Sequence, residues 1–311
     1  FISLNIKYLN AIPMYFNEDK ITEIFYAVDE FSKKFEETLA SYRIGNLPKK
    51  KPKMCMSEVM TIMIIFHGMQ HKNIKHFYVN YVQIHMKNLF PETVSYNRFV
   101  ELMQGANLSL TLFLKTCCLG DCSGITYVDS TPIRVCKNKR IRNHKVFKGI
   151  AELGKSTMGW FYGFKLHIIV NERGEIINFV ITQGNCDDRE PLKSDAFLKK
   201  IYGKLYGDKG YLSKDLAKTL FIDGIHLITG IRNKMKNCLL ELKDKILLRK
   251  RSIIETINDE LKNICQIEHS RHRSFENFIS NTISALIAYS FFPKKPSIKF
   301  DVEYTNQITL F

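Results

Sequence analysis

The sequence predicts an α/β protein, a mixed sheet flanked by helices and preceded by an all-helical N-terminal region. Three observations carry this. Before residue 120 the apolar residues recur at helical spacing. From Gly124 the pattern turns strand-like, in short β-rich runs bounded by glycine and polar turns. Strands and helices then follow in the order β, β, β, α, β, α, β, α, α, which describes a mixed sheet with helices packed on it.

Asp19 to Arg43 carries Ile21, Ile24, Phe25, Val28, Phe31, Phe35 and Leu39 on one helical stripe. Gly45-Asn46-Leu47-Pro48 and the lysines after it break that helix and form a basic linker. Shorter helices follow at 57–69, 73–88 and 95–119, the last entered through the turn Pro91–Ser95. Short helices joined by short turns on a basic chain fit a helix-turn-helix DNA-binding region and a plain bundle equally well. The sheet opens with Ile125–Asp129 and continues with Phe161–Val170 and Glu175–Thr182 around the hairpin-like Asn171–Gly174. Lys204–Asp208 and Ile225–Ile231 complete five strands, with helical patterns at 188–201 and 212–222 between them. Two more helices follow at 244–268 and 274–291, and Pro293-Lys294-Lys295-Pro296 ends the folded part. The chain thus divides into a helical region (1–120), an α/β region (121–293) and a loosely attached tail (294–311).

The chain of 311 residues is large enough for one big domain or two ordinary ones, and 45% hydrophobic content makes it globular rather than disordered. Its formal net charge of +15 suits a polyanionic partner, because phosphates are neutralised by Lys and Arg with release of counterions. The cysteines form no CxxC pair, which disfavours a zinc site and fits free thiols in a reducing cytoplasm. The longest apolar runs, Met60–Phe66 and Ile283–Phe292, are too short to span a bilayer, and no signal peptide is visible.

Chemistry concentrates in three acids. Near the C-terminus Leu247, Ile254, Ile257, Leu261 and Ile264 form a helical apolar stripe. Arg251, Glu255 and Lys262 lie within about 40° of one another on an adjoining stripe. Asp129 ends the first strand, and Asp208 follows a later one in Gly207-Asp208-Lys209-Gly210-Tyr211. Ligand groups collect at such strand ends, although an aspartate there is more often a helix cap or turn residue. Asp187-Asp188 reads as a cap, Asp259 as the second choice for the helical carboxylate, and Glu260 as a solvated residue. His167 is either a core histidine or a neighbour of the site.

Asp129, Asp208 and Glu255, two on strands and the third on a late helix, resemble the DDE triad of RNase H-like transposases and retroviral-type integrases. Arg251-x3-Glu255-x6-Lys262 is similar to the signature on the catalytic-glutamate helix of many insertion-sequence transposases. The blocks Phe161–His167 and Ile264–Arg273 resemble the 982 family of bacterial insertion-sequence transposases, with likeness from Asp129 to Pro296. One departure is Leu248, where the common signature has tyrosine.

The resemblance implies an RNase H-like five-stranded fold and Mg²⁺-dependent (or Mn²⁺-dependent) DNA cleavage and strand transfer. Two divalent ions about 3.5–4 Å apart activate a nucleophile and stabilise the leaving oxyanion, and hard carboxylate ligands suit them. By the same likeness Asp129 would bridge the ions, with Asp208 and Glu255 on one each. Arg251 and Lys262 would grip phosphates. It further implies DNA partners (terminal inverted repeats and target), a homodimer or higher oligomer at synapsis, and a bacterial cytoplasmic setting without membrane contact. A nuclease or resolvase of the same fold that never joins strands, or a non-catalytic DNA-binding remnant, remains as the alternative. Lys209 in the second-aspartate motif, Arg140, Arg142 and Lys145 between the first strands, and His269, Arg271, His272 and Arg273 after the glutamate helix are expected at the DNA backbone. Trp160, beside Phe161 and Tyr162, is expected in the core, with stacking on a base as the lesser alternative.

Overall fold

A computed structural model of the chain describes residues 16–42, 52–69, 71–231, 240–268 and 272–298. It opens with α1 (Glu18–Ala40), capped by Asn17, and α2 (Met56–Gly68), whose residues are buried on almost every side. Then come α3 (Ile74–Phe77), a π-helical turn (Tyr78–Val82) and α4 (Gln83–His85), where the sequence suggested one helix. The helix expected at 95–119 is broken at Ala106 into α5 (Tyr96–Gly105) and α6 (Asn107–Phe113), and ends in a second π-turn, Leu114–Cys118.

The strands are β1 (Ile125–Cys136), β2 (Glu152–Ser156), β3 (Gly159–Asn171), β4 (Ile176–Gln183), β5 (Gly203–Gly207) and β6 (Ile225–Thr229). β1 pairs antiparallel with β3 and parallel with β5, β5 pairs parallel with β6, and β2 and β4 both pair with β3. Leaving β2 aside, the order β4-β3-β1-β5-β6 is the mixed RNase H-like arrangement, so the fold class stands and the sheet has six strands rather than five. β2 was hidden because Glu-Leu-Gly-Lys-Ser lacks the apolar alternation that marks a strand. β1 runs past Asp129 to Cys136. β5 leaves it after Tyr127, so Pro132 lies where one side of β1 carries no neighbour.

α7 (Asp195–Leu198) and α8 (Lys214–Ile222) cover one face, with Val128, Ile169, Leu205 and Tyr211 in its core. The expected helix at 188–201 is cut short because Pro191 forms a 3-10 turn and Ser194 is extended. The other face holds Tyr127, Phe164, Leu166, Ile168 and Tyr206 under α9 (Leu242–Arg249), α10 (Ser252–Asn263) and α11 (Phe275–Ser290). α9 and α10, expected as one helix, are separated at Lys250–Arg251, where hydrogen bonds tighten to three-residue spacing. α11 packs on α2, α5 and α6, so the helices before residue 120 and this sheet face share one apolar core. Of the expected tail, the described part is tied down: Ile298 donates its amide to the Glu172 carbonyl at 2.8 Å. Among the described residues no helix is long and apolar enough to cross a membrane.

Candidate active site

Strand register brings the two aspartates together. Tyr127 of β1 stands opposite Tyr206 of β5, and their rings stack at 5.4 Å. Two residues further along each parallel strand stand Asp129 and Asp208, which therefore share a face at the carboxyl edge of β5. Asp208 also caps the turn Lys209–Tyr211, its Oδ1 accepting the Gly210 amide at 2.7 Å. The ordinary capping role and the edge position thus coincide.

α10 delivers the third acid. The helix lies against β1, and Asn258 donates its Nδ2 to Asp129 Oδ2 at 3.0 Å. Glu255, one turn earlier, is exposed and paired with Arg251 at 2.5 Å. Burial pushes the Asp129 carboxyl up to about 6. The Arg251 guanidinium and the Ser130 amide oppose that rise, and the neighbouring charges of Asp208 and Glu255 add to it. Among the described residues no three His, Cys, Asp or Glu side chains stand close enough to share one cation. Two of the acids are turned elsewhere, Glu255 to Arg251 and Asp208 to Gly210. The donors themselves suit Mg²⁺ or Mn²⁺: all are hard oxygens, and the crowding felt at Asp129 is what a divalent cation relieves.

The expected cations separate into groups. Arg251 sits at the start of α10 between Asp129 and Glu255. Lys209 is exposed directly after Asp208. Lys262 lies two turns beyond Glu255 and pairs with Glu268 at 3.4 Å, a carboxylate that also accepts the Arg134 amide. Arg140, Arg142 and Lys145 are exposed and, among the described residues, have no acidic partner. His272 meets the Phe278 ring edge-on and Arg273 is exposed, while His269 and Arg271 lie outside the described residues.

Other acids fall where the sequence left room for doubt. Asp187 is a turn residue held by Arg189. Asp188 instead accepts from Ser130 Oγ at 2.7 Å and Lys165 Nζ at 2.9 Å, on the face opposite Asp129. His167, opposite Ser130, is on that face too. It is fully buried, its Nε2 meets Thr182 Oγ1 at 2.8 Å, and burial pushes its imidazole down to about 4. Asp259 bonds Asn263, away from Asp129. Glu260 is not solvated: it is half-buried, and burial raises its carboxyl. Trp160 is 55% exposed rather than in the core. The residue that sequence reasoning missed is Asn258. Its signal was a polar side chain on the buried margin of the glutamate helix, three residues after Glu255.

Residues 119–275, half of the chain, match a family model described as a transposase DDE domain. No curated protein matches the sequence. Among solved structures, a piggyBac transposase synaptic complex with hairpin DNA is similar at 10% identity and a TM-score of 0.47, over 90% of this chain and 73% of that one. The Mos1 strand transfer complex is similar at 10% identity and a TM-score of 0.24, over 83% of this chain and 82% of that one.

Proposed function

Since the chain belongs to the DDE-domain transposases, we propose that it cleaves phosphodiesters at the ends of a mobile DNA element and transfers the freed strand into target DNA, with Asp129, Asp208 and Glu255 as the catalytic carboxylates. One observation carries this reading: Asp129 on β1 and Asp208, in the turn directly after β5, each stand two residues beyond the paired Tyr127 and Tyr206 of these parallel strands, and the helix bearing Glu255 and Arg251 is fixed to Asp129 through Asn258. Asp129, Asp208 and Glu255 would hold two divalent ions, Mg²⁺ or Mn²⁺, which supply an activated nucleophile and a stabilised leaving oxyanion when bound.

The chain's own residues do the rest. Asn258 orients one oxygen of Asp129, so the carboxylate that feels the charges of Asp208 and Glu255 is held in one rotamer. Arg251 holds Glu255 until a more strongly charged partner arrives, and its planar fork then suits a DNA phosphate. Lys209, next to Asp208, and Arg140, Arg142 and Lys145 on the segment after β1 track the backbone without reading bases. Arg273 adds a cation beyond α10, and Lys262 would reach a phosphate by leaving Glu268, as Arg251 leaves Glu255.

The test is cleavage and joining. Asp129→Ala, Asp208→Ala and Glu255→Ala are each expected to abolish Mg²⁺-dependent cutting of a plasmid that carries the element's ends, with DNA affinity retained. Full activity in any one of them removes that residue from the site. Wild-type protein that cuts but never yields joined products with a target plasmid would reduce the reading to a nuclease.

A further inference from the structure

The hairpin of β2 and β3 exposes apolar side chains that a water-facing turn has no reason to carry. Met158 at its tip is 84% exposed, Trp160 55% and Leu153 44%. Lys155 pairs with Trp160 across the hairpin, its ammonium 5.8 Å from the ring centroid. The arm is held firmly at its root. Gly154 has no room for a Cβ against the Gly184 carbonyl, Gly159 takes φ +102° in the turn, and Asn138 Nδ2 donates to the Trp160 carbonyl at 2.8 Å.

Alternation along β3 puts this arm on the same face as the carboxylates. Ile168 stands opposite Asp129, and Leu166, Phe164, Tyr162 and Trp160 follow on that face. The eight residue steps from 168 to 160 span about 26 Å at about 3.3 Å each, equal to roughly eight base pairs of B-DNA. Over the intervening stretch lies the segment whose Phe147 carbonyl accepts from Tyr162 Oη at 3.1 Å. That segment presents Lys139, Arg140, Arg142, Lys145 and Lys148 to solvent, and none has an acidic partner among the described residues.

A run of exposed cations lying over the strand that joins the Asp129 face to an apolar tip fits one partner, a nucleic-acid duplex. Phosphates neutralise the cations, and an apolar side chain seats against or between base pairs. Self-association through the same ridge would set like charges against each other. We propose that the β2–β3 hairpin is a DNA-groove arm, with Met158 and Trp160 seated in the duplex about eight base pairs from the phosphate that lies at the carboxylate site. This rests on the reading of the chain as acting on DNA, and adds to it where and how the subterminal duplex is gripped.

Trp160 is the only tryptophan in the chain, so its emission reports on the arm alone. The experiment uses the full chain and a fluorescein-labelled duplex of arbitrary sequence, about three helical turns long, without divalent ions. Anisotropy follows binding, and acrylamide quenching follows Trp160. On saturation with duplex the quenching constant is expected to fall about threefold. Trp160→Ala is expected to weaken binding about tenfold without changing its salt dependence. Arg142→Ala should instead lower the salt slope by about one. Duplex bound by anisotropy with Trp160 still fully open to acrylamide overturns the arm while leaving DNA binding intact. So does Trp160→Ala with wild-type affinity, or shielding that grows with protein concentration before any DNA is added. Absence of binding by anisotropy overturns the DNA reading itself.

Discussion

Asn258 is a small residue with a large constraint on it. It is 7% exposed, donates to Asp129, and its Oδ1 has no hydrogen-bond partner among the described residues. A buried carbonyl oxygen left unpaired costs about 1–3 kcal/mol, so its retention points to the bond on the other side of the amide. Asn258→Ala is expected to lower cleavage about 10–100-fold, the usual cost of removing a group that orients a metal-binding carboxylate, with duplex affinity unchanged. Rates with and without the substitution, at equal DNA occupancy, decide it. His167 makes a different prediction. Buried and neutral, it titrates at about 4 in the fold against an ordinary 6.5, so the unfolded chain binds the extra proton between those values. Its contribution is fully present above pH 6.5 and is lost as the pH falls toward 4, by up to about 3 kcal/mol. Urea unfolding at both ends of that window should show the loss in the wild type and a smaller one in His167→Gln.

At the scale of elements, the local sequence spoke clearly wherever one face of a helix or strand is buried. β3, β4, β5 and β6 and the helices α1, α8 and α11 lie close to where periodicity put them, because burial on one side imposes a regular pattern. β2 did not show, since it is held by pairing to β3 and not by an apolar stripe. The far half of β1 buries Ile133 and Val135 at strand spacing but is entered through Asp129-Ser130-Thr131-Pro132, which reads as a turn. The site was legible in part. Asp129, Asp208 and Glu255 stood out by their elements, but the partners of Asp188, the turning of Lys262 to Glu268 and the exposure of Trp160 depend on residues far apart in the chain. Leu248, where a tyrosine was expected, packs at the margin of the apolar core. A second long-range link joins α9 to β5: Asp244, 4% exposed, accepts from Lys204 Nζ at 2.7 Å and Tyr206 Oη at 2.8 Å. Asp244→Ala leaves Tyr206 without its partner beneath Asp208. It should cost about 2–3 kcal/mol of stability, measured by denaturant midpoint, which is below the cost for a fully buried pair because Lys204 keeps some water.

At the scale of the molecule, α2 is the piece on which both parts of the chain depend. It is buried around almost its whole circumference, with α1 and α11 packed on it, so its removal bares part of α11, a helix buried along most of its length. A fragment beginning at residue 121 is therefore expected to aggregate or remain partly unfolded, by circular dichroism and sedimentation, even though it holds every proposed catalytic carboxylate. The same interlock governs what a damaged gene can produce. A message translated from an internal start after α2 would encode the proposed catalytic carboxylates without the helix that closes their core, and its product is expected to be unfolded rather than a free nuclease. Packing α2 on α11 thereby ties any cutting activity of the α/β part to the presence of the helices that precede it.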